Sequence, residues 1–312
     1  MRPKLRVKYV DCYNAWNDQD NLFTRLLSQR YDVEISDNPD LLFYLPFGTE
    51  HLNYRCRKVF VTGENFRPDF AVCDYAFSFD YLDDPRNYRL PLAHWSPIER
   101  PADWDVDEEI AKKTGFCNFV YSNRGCVVRN QLFKKLSRYK RVDAGGRCMN
   151  NIGHRVDSKL DFQSQFKFSI AYENSSYPGY LTEKLADAFR ANTVPIYWGD
   201  PHVQRDFNAA AFINYSDYGS NDAVIERIIE LDQDDDAYRE MLSQPCYPNN
   251  EFPKTATDEA VLARLTEIVE SEAEPVAAGT PSWSTNLRCR AYYKTFKWRR
   301  RFDRWKYKVL PV

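Results

Sequence analysis

The chain has 312 residues, of which 43% are hydrophobic, 28% charged and 15% aromatic, a composition typical of a globular protein of about two domains. There is no run of about 18 apolar residues, and the N-terminal MRPKLRVKYV lacks an apolar core, so we expect neither a transmembrane helix nor a signal peptide. The net charge of −2 is unevenly distributed, because residues 288–308 carry +9 and the remainder therefore carries −11.

The first part of the chain alternates short apolar runs with turn-forming residues, which predicts an open α/β unit. A short helix is expected from its cap at Asn21 to Leu27. The stretch from Pro97 to Lys113 is acidic and poor in core residues, so a domain boundary is predicted there and the first domain is residues 1–112. Strands are predicted at 5–10, 33–35, 41–44, 59–62 and 76–79.

A second alternation of strands and helices follows, which predicts a parallel sheet in a domain of residues 113–272. Ligands of such sheets bind beyond the carboxyl ends of the strands. Residues 273–286 are small and nearly uncharged, which is typical of a linker, and residues 287–312 form a basic tail. Strands are predicted at 116–121, 141–143, 166–172 and 194–198, and helices at 128–139, 181–190, 223–231 and 260–269.

The segment 166–201 holds the densest set of polar residues between a strand and a helix. Its loop begins at Glu173 and leads into a helix N-terminus near Leu181, where partial positive charge and free N–H groups favour a phosphate. Lys184 lies in the first helical turn, where a cation opposes the helix dipole. An anionic ligand would explain this lysine, and a solvated helical turn is the alternative.

Three segments together resemble a known family. The pattern F-K-F…E-N…G-Y-L-T-E-K…V-P-I-Y-W-G within 166–199 resembles the donor-binding signature of the α-1,3-fucosyltransferases, glycosyltransferase family ten. Val59–Asn65, with its Gly-Glu-Asn turn, and Phe119–Asn123, followed by the helix start at Val128-Arg129-Asn130, resemble two further blocks in the order found in that family.

The resemblance implies the GT-B arrangement, an α/β architecture of two Rossmann-like domains facing across a cleft. It implies an inverting transfer of L-fucose from GDP-fucose to the 3-OH of GlcNAc in an N-acetyllactosamine-type acceptor. As partners it implies GDP-fucose and a glycan acceptor of the N-acetyllactosamine or lactose type. Three alternatives stay open: another nucleotide sugar, an α-1,4 linkage, and a nucleotide- or sugar-binding module without turnover.

The resemblance also implies roles for individual residues. Glu64 would be the general base and Glu173 would lie near the fucose as the second catalytic candidate. An inverting transfer needs a base on one face while GDP leaves from the other, and cations with a helix N-terminus can stabilise the leaving diphosphate without a metal. The implied donor-binding residues are Arg129 and Lys184 at the pyrophosphate, Tyr180 and Glu183 at the ribose, and Asn174 beside the nucleotide.

Metal and thiol chemistry find little support in the sequence. The D-x-D patterns at Asp103, Asp105 and Asp107 lie in the acidic stretch and favour solvated charges, as do the aspartates of 232–236, which are expected in a loop. We therefore predict no metal site and no required cofactor, and stimulation by Mn²⁺ or Mg²⁺ stays open. The eight scattered cysteines favour unpaired thiols over disulfides.

The pair Gly145-Gly146 follows a predicted strand. It is equally a plain turn or a point at which GDP approaches the backbone closely.

The basic tail predicts a peripheral membrane contact. Trp298, Phe302 and Trp305 follow helical spacing within the basic run, so residues 288–308 are expected to bind a membrane surface as an amphipathic helix. Docking of the tail on the acidic body is the alternative. The acidic body and the lack of a nucleic-acid-binding motif disfavour nucleic acid as a partner. The predicted location is therefore cytoplasmic, peripheral on the inner membrane face.

Overall fold

The computed structural model describes residues 2–276 together with Leu287 and Ala291. Most of the predicted linker 273–286, of the tail 287–312 and of the membrane-binding segment 288–308 therefore lies outside the described residues. The described chain forms two compact units, one of residues 2–95 and 253–276 and one of residues 96–252. Within these described ranges, no helix is both long and apolar enough to cross a membrane.

The first unit is built on a six-stranded parallel sheet in the order β2-β1-β3-β4-β5-β6. All four residues of its third strand are buried, as expected for a strand covered on both faces. Helix α1 (Leu22–Leu27) begins at the predicted cap, because the Asn21 side chain accepts hydrogen bonds from the N–H groups of Phe23 and Thr24. The strands are β1 (Lys4–Val10), β2 (Asp32–Ile35), β3 (Leu41–Tyr44), β4 (Arg57–Val61), β5 (Tyr75–Ser78) and β6 (Asn87–Arg89).

The second unit has a five-stranded parallel sheet in the order β11-β10-β9-β7-β8, with helices packed around it. Its central strand is buried along nearly its whole length, which agrees with the apolar run predicted at 166–172. The elements are α2 (Val106–Ala111), β7 (Gly115–Phe119), α3 (Val127–Leu136), β8 (Val142–Ala144), α4 (Lys159–Gln163), β9 (Phe166–Tyr172), α5 (Glu183–Arg190), β10 (Val194–Trp198), β11 (Ile213–Asn214), α6 (Tyr215–Tyr218), α7 (Asn221–Gln233) and α8 (Asp235–Ser243).

The acidic stretch predicted as a domain boundary instead belongs to the second unit. The Asp105 side chain accepts hydrogen bonds from the N–H groups of Asp107 and Glu108 and so caps α2. Asp107 in turn forms an ion pair with Arg239 of α8. Acidic residues at a helix N-terminus are favoured by the helix dipole, so the composition marked the start of an exposed helix rather than a linker. The division between units falls at residue 96 and not at residue 112.

The end of the predicted second domain also lies elsewhere. After residue 252 the chain returns to the first unit and forms α9 (Asp258–Glu270). Arg57 donates hydrogen bonds to the carbonyls of Ile268 at 3.0 Å and Ser271 at 2.6 Å, at the end of this helix. Composition does not signal such a return, because it depends on long-range contacts.

The acidic run 232–236, expected to be a loop, contains a helix start. Asp234 accepts hydrogen bonds from the N–H groups of Asp236 and Ala237 and caps α8. The expectation of a loop was wrong because capping residues and solvated loop residues are of the same types. In the described part of the chain, seven cysteines are unpaired, in agreement with the predicted free thiols.

Candidate functional site

A pocket of about 410 Å³ opens at the carboxyl edge of the second unit's sheet. The loops after β7, β8 and β9 form its walls together with the first turn of α5. This is the edge at which parallel α/β sheets bind ligands, and the volume is within the range of about 300–1,000 Å³ typical of small-molecule sites.

Lys184 provides a cation at the floor of this pocket. Its Nζ lies 3.0 Å from Oε2 of Glu173 and 3.3 Å from Oε1 of Glu183, and it donates a 2.7 Å hydrogen bond to the Thr182 hydroxyl. Burial alone would lower the pKa of Lys184, but the neighbouring carboxylates of Glu173 and Glu183 raise it well above its ordinary value. The ammonium is therefore charged and fixed in place beside the N-terminus of α5.

Glu173 lies behind Lys184 and has no exposed surface. Its Oε1 accepts hydrogen bonds of 2.7 Å and 2.8 Å from the N–H and the hydroxyl of Thr182, the residue that precedes α5. Burial raises the pKa of this carboxyl, and Lys184 acts against that rise. Glu173 does not line the pocket. Its contacts are those of a residue that positions Lys184 and the start of α5.

Gly199 makes room for this buried carboxylate. A Cβ at position 199 would lie 2.5 Å from Cγ of Glu173 and 2.6 Å from the Tyr197 hydroxyl, so only glycine fits without movement of either side chain. Gly199, which ends the V-P-I-Y-W-G segment, thus allows Glu173 to pack at the end of β9.

Glu183 lines the pocket beside Lys184. Burial raises its pKa, but Lys184 and Lys159 outweigh this effect and lower the pKa to about 2. Lys159 also pairs with Asp187 of α5 at 2.7 Å. Glu183 is therefore ionised at any working pH, and its carboxylate can accept hydrogen bonds from ligand hydroxyl groups.

Arg129 lies behind the pocket wall. Its side chain is fully buried, and its guanidinium stacks on the ring of Tyr121 with the carbon 3.9 Å from the ring centre. It donates hydrogen bonds to the Asn123 carbonyl at 2.6 Å and to Oδ1 of Asn174 at 3.0 Å. Arg129 thus connects the loops after β7 and β9, and its contact with the pyrophosphate stays a prediction.

Tyr180 is also buried and does not line the pocket, whereas Asn174 does. The loop between them turns at Gly179, which has a left-handed φ of 83° and donates a 2.7 Å hydrogen bond to Oδ1 of Asp200. Asn174 is held by Arg129, so its amide reaches the pocket from a fixed position.

Further pocket residues were not recognised from the sequence. Arg155 and Asp157 are exposed and line the pocket together with Lys159, the first residue of α4. The residue type at position 158 could have indicated a helix start beside these residues, because the Ser158 side chain caps α4 by accepting a hydrogen bond from the Asp161 N–H. No group of three or more acidic, histidine or cysteine side chains suited to a metal occurs within the described ranges.

The paired glycines after β8 are explained by protein packing. A Cβ on Gly146 would lie 2.1 Å from the Tyr121 carbonyl oxygen, and one on Gly145 would lie 2.6 Å from Cγ1 of Val156. The protein itself thus approaches both glycines closely, and the alternatives of a plain turn and a close approach of GDP stay predictions.

In the first unit, Glu64 follows β4 in a tight turn. Its N–H donates to the Thr62 hydroxyl at 3.1 Å, and that hydroxyl donates to the Glu64 carbonyl at 2.8 Å. Gly63 leaves room for the Leu92 side chain, since a Cβ there would lie 2.8 Å from Cδ2 of Leu92. The Glu64 side chain is half-buried. The hydroxyl of Thr62 thus holds the turn.

An aromatic cluster occupies the same edge of the first sheet. Tyr13 meets the rings of Trp16 and Phe47 edge to face, at 5.8 Å and 6.4 Å between ring centres, and Trp16 meets Trp95 in the same way at 6.5 Å. Tyr13 is 49% exposed, so the cluster presents one aromatic ring to solvent.

Comparison with known proteins identifies the family. The N-terminal domain model of the alpha-(1,3)-fucosyltransferase FucT matches residues 7–95, and the C-terminal model of glycosyltransferase family 10 (fucosyltransferase) matches residues 110–245. A crystal structure of an α1,3-fucosyltransferase superposes with a TM-score of 0.77 at 30% identity, over 90% of this chain and 93% of that one. This chain belongs to glycosyltransferase family 10.

Individual relatives agree with this assignment. A family-10 crystal structure described with GDP-fucose matches at 29% identity with a TM-score of 0.74, over 88% of this chain and 92% of the other. The alpha-(1,3)-fucosyltransferase FucT of Helicobacter pylori is 34% identical over 288 residues, which cover 77% of this chain and 60% of the relative. The chain thus spans about 60% of the length of that relative. These matches confirm the predicted GT-B fold class.

The family-10 residues predicted from the sequence are distributed over three kinds of position. Asn174, Glu183 and Lys184 line the pocket of the second unit. A second group is buried and does not line the pocket, namely Arg129, Glu173 and Tyr180. The remaining residue, Glu64, lies in the first unit.

Proposed function

We propose that this family-10 chain is an inverting α-1,3-fucosyltransferase, which transfers L-fucose from GDP-fucose to the 3-OH of GlcNAc. The observation that carries the proposal is the fixed, charged Lys184 at the N-terminus of α5 inside the pocket. The relatives support the choice of donor, because a chain of 29% identity is described in complex with GDP-fucose.

The pocket chemistry suits a nucleoside diphosphate sugar. Lys184 and the first N–H groups of α5 favour the diphosphate, because a cation and a helix N-terminus both attract negative charge. Arg155 and Lys159 also line the pocket and add positive charge to it. Glu183 accepts hydrogen bonds from the ribose hydroxyls. These groups are in place before the reaction, so they stabilise the charge that develops on the leaving GDP.

The proposed reaction is a single displacement. Glu64 accepts the proton of the acceptor 3-OH as the oxygen forms its bond to the anomeric carbon of fucose. The bond from that carbon to the diphosphate oxygen breaks at the same time, and its electron pair leaves with GDP. Attack opposite to the leaving group converts the β-linked donor into an α-linked product. General base catalysis of this type contributes about 10²–10⁴-fold to the rate.

We infer that the reaction requires no divalent metal. Protein cations are available for the leaving diphosphate, as the positions of Lys184, Lys159 and Arg155 indicate. Activity that persists in EDTA would support this inference, and loss of activity that Mn²⁺ or Mg²⁺ restores would contradict it. Stimulation above the EDTA level by either ion is compatible with it.

For the acceptor we propose a disaccharide of the N-acetyllactosamine or lactose type. The exposed ring of Tyr13 offers an apolar face on which a sugar ring can stack. It follows β1, and Glu64 follows β4, with β3 between these strands, so about 10 Å separates the two strand ends at the usual spacing of about 4.8 Å. That span is close to the length of a disaccharide.

An α-1,4 linkage is the second candidate. The Bos taurus 3-galactosyl-N-acetylglucosaminide 4-alpha-L-fucosyltransferase is 34% identical over 133 residues, which cover 41% of this chain and 36% of that one. Similarity of the shared domain therefore does not separate the two linkages.

We propose further that residues 288–308, with a charge of +9, attach the protein to an anionic membrane surface. The protein would then work as a cytoplasmic enzyme at the inner membrane face, where GDP-fucose and glycan acceptors are its partners and nucleic acid is not. The support for this proposal is the charge and aromatic spacing of the segment.

A single assay tests the function. The full chain is incubated with GDP-fucose and either N-acetyllactosamine, lactose or a type 1 disaccharide, and the product linkage is assigned by NMR. GDP-mannose and UDP-sugars serve as donor controls. We expect fucose on the 3-OH of GlcNAc in N-acetyllactosamine or of glucose in lactose, and no such product on the type 1 disaccharide, whose GlcNAc 3-OH already carries galactose. Product at the 4-OH would favour the second linkage, transfer from another donor would favour a different transferase, and GDP binding without transfer would favour a binding module.

A further inference from the structure

Arg67 and Asp80 connect the turn that carries Glu64 to the end of the neighbouring strand. We propose that this pair positions Glu64 for proton transfer, so that Arg67 is a positioning residue of the reaction. The inference rests on the proposed function, because it assumes that Glu64 is the base.

The connection runs through the Arg67 guanidinium. Its Nε lies 2.8 Å from Oδ1 of Asp80, and its Nη2 donates a 2.9 Å hydrogen bond to Oδ1 of Asn65, the residue after Glu64. The guanidinium also lies over the ring of Phe79, with its carbon 4.7 Å from the ring centre. One side chain thus joins the turn after β4 to the residues after β5.

Asp80 is a firm anchor for this connection. It is only 3% exposed, and its own N–H donates to the Ser78 hydroxyl at 3.2 Å. Its carbonyl accepts a 3.1 Å hydrogen bond from the Asn87 side chain, at the start of β6. The carboxylate that receives Arg67 is therefore fixed to two strands of the sheet.

Glu64 consequently lies between two attachments. On one side the Thr62 hydroxyl bonds both the N–H and the carbonyl of Glu64, and on the other Asn65 is held by Arg67. A catalytic base must be held within about 0.5 Å of its productive position, and an error of about 1 Å can cost about 10²-fold in rate. Loss of the second attachment should therefore reduce turnover.

An arginine is needed here, and a lysine would not replace it. The planar guanidinium donates from Nε to Asp80 and from Nη2 to Asn65 while its face rests on Phe79. A lysine ammonium is a point charge that cannot make this set of contacts with fixed directions. Arg67→Lys therefore keeps the charge beside Asp80 but loses the link to Asn65.

The first unit offers a matched control in Arg86. This arginine also stacks on a phenylalanine, Phe70, at 4.2 Å, and also pairs with an aspartate, Asp84, at 2.7 Å. Arg86→Ala removes the same kinds of contact from the same unit, but these contacts do not reach the Glu64 turn.

The test is a double-mutant cycle with the full chain. We measure kcat, KM for donor and acceptor, and the thermal unfolding midpoint of Arg67→Ala, Arg67→Lys and Arg86→Ala, each with Glu64 and with Glu64→Gln. We expect both Arg67 variants to lower kcat about 10–100-fold with the donor KM within about twofold of wild type. Arg86→Ala should leave kcat within about twofold. On the Glu64→Gln background, the Arg67 variants should add no further loss.

The outcomes separate the inference from the proposed function. A wild-type chain that transfers no fucose contradicts both. A Glu64→Gln variant with near-normal kcat contradicts the assignment of the base, and the positioning role falls with it. If Glu64→Gln is slow but the Arg67 variants are not, or if Arg67 changes are as costly on both backgrounds, only the positioning role is overturned. Should Arg67→Ala fail to fold, the comparison rests on Arg67→Lys.

Discussion

The ammonium of Lys184, which lines the pocket, lies 3.0 Å from a carboxylate oxygen of Glu173, a residue with no exposed surface. The carboxylate also receives the N–H and hydroxyl of Thr182, so it fixes both the cation and the start of α5. In this arrangement a buried acid maintains the charge of a neighbouring cation. Lys184 thus lines the pocket, and Glu173 supports it from a fully buried position.

Replacement of Lys184 by alanine should weaken donor binding. Loss of one charge-assisted contact to phosphate costs about 1.5–3 kcal/mol, so GDP and GDP-fucose should bind about 10–150-fold more weakly in calorimetry. Lys112→Ala, which removes an exposed lysine from the end of α2, is the control and should bind GDP like wild type. Unchanged GDP affinity in Lys184→Ala would move the phosphate site elsewhere.

Replacement of Glu173 by glutamine should reduce stability. The change leaves the Lys184 ammonium with less compensation inside the protein, and breaking a buried ion pair costs about 3–5 kcal/mol. We expect the free energy of unfolding, from urea denaturation followed by circular dichroism, to fall by about that amount. Stability like that of wild type combined with a loss of kcat would instead restore Glu173 as a catalytic residue.

Replacement of Glu64 by glutamine should lower kcat and leave the stability unchanged, in contrast to Glu173→Gln. It keeps the shape of the side chain and removes the proton acceptor, so kcat should fall about 10²–10⁴-fold. The free energy of unfolding and the affinity for GDP should hardly change, because the donor pocket is lined by residues of the second unit. The acidic limb of the pH–rate profile should disappear. A near-normal kcat in correctly folded Glu64→Gln would rule out this base.

Asp80 should make the stability of the protein depend on pH. Burial raises its pKa to about 6, although Arg67 and Arg89 act to lower it. Between about pH 4 and pH 6 the folded state keeps a proton that the unfolded chain has released, so the free energy of unfolding falls as the pH rises. A shift of about 2 pKa units corresponds to about 3 kcal/mol. Urea denaturation at several pH values should show this fall in wild type and a smaller one in Asp80→Asn. Parallel curves would contradict the assignment.

Removal of the residues after 285 should abolish binding to anionic vesicles at low salt. The tail carries +9 over residues 288–308, and electrostatic attraction to anionic lipid is weakened by salt. Vesicle pelleting of the full and shortened chains measures the difference, and transfer to a soluble acceptor serves as the control for intact catalysis. Equal pelleting of both chains would favour docking of the tail on the acidic body.

The sequence alone predicted the α/β fold and the family. Runs such as Leu41–Tyr44 are apolar because their strands are covered on both faces, and Asn21 caps α1 through contacts made within three residues. The loop before α5 could also be recognised as a ligand site, because helix starts after strand ends have the same local chemistry in many α/β proteins. These features depend on neighbours along the chain, and a sequence displays such neighbours directly.

The tertiary structure decided which polar residues line the pocket. Arg129 and Lys184 both lie near helix starts and carry the same charge, yet one is buried behind the wall and the other lines the pocket. The direction of each side chain depends on the packing of β7 against β9 and on partners such as Asn123 and Glu173, which are distant or ambiguous in the sequence. The same reason applies to the boundaries of the units, since the return of residues 253–276 to the first sheet is stabilised by contacts across some 200 positions of chain.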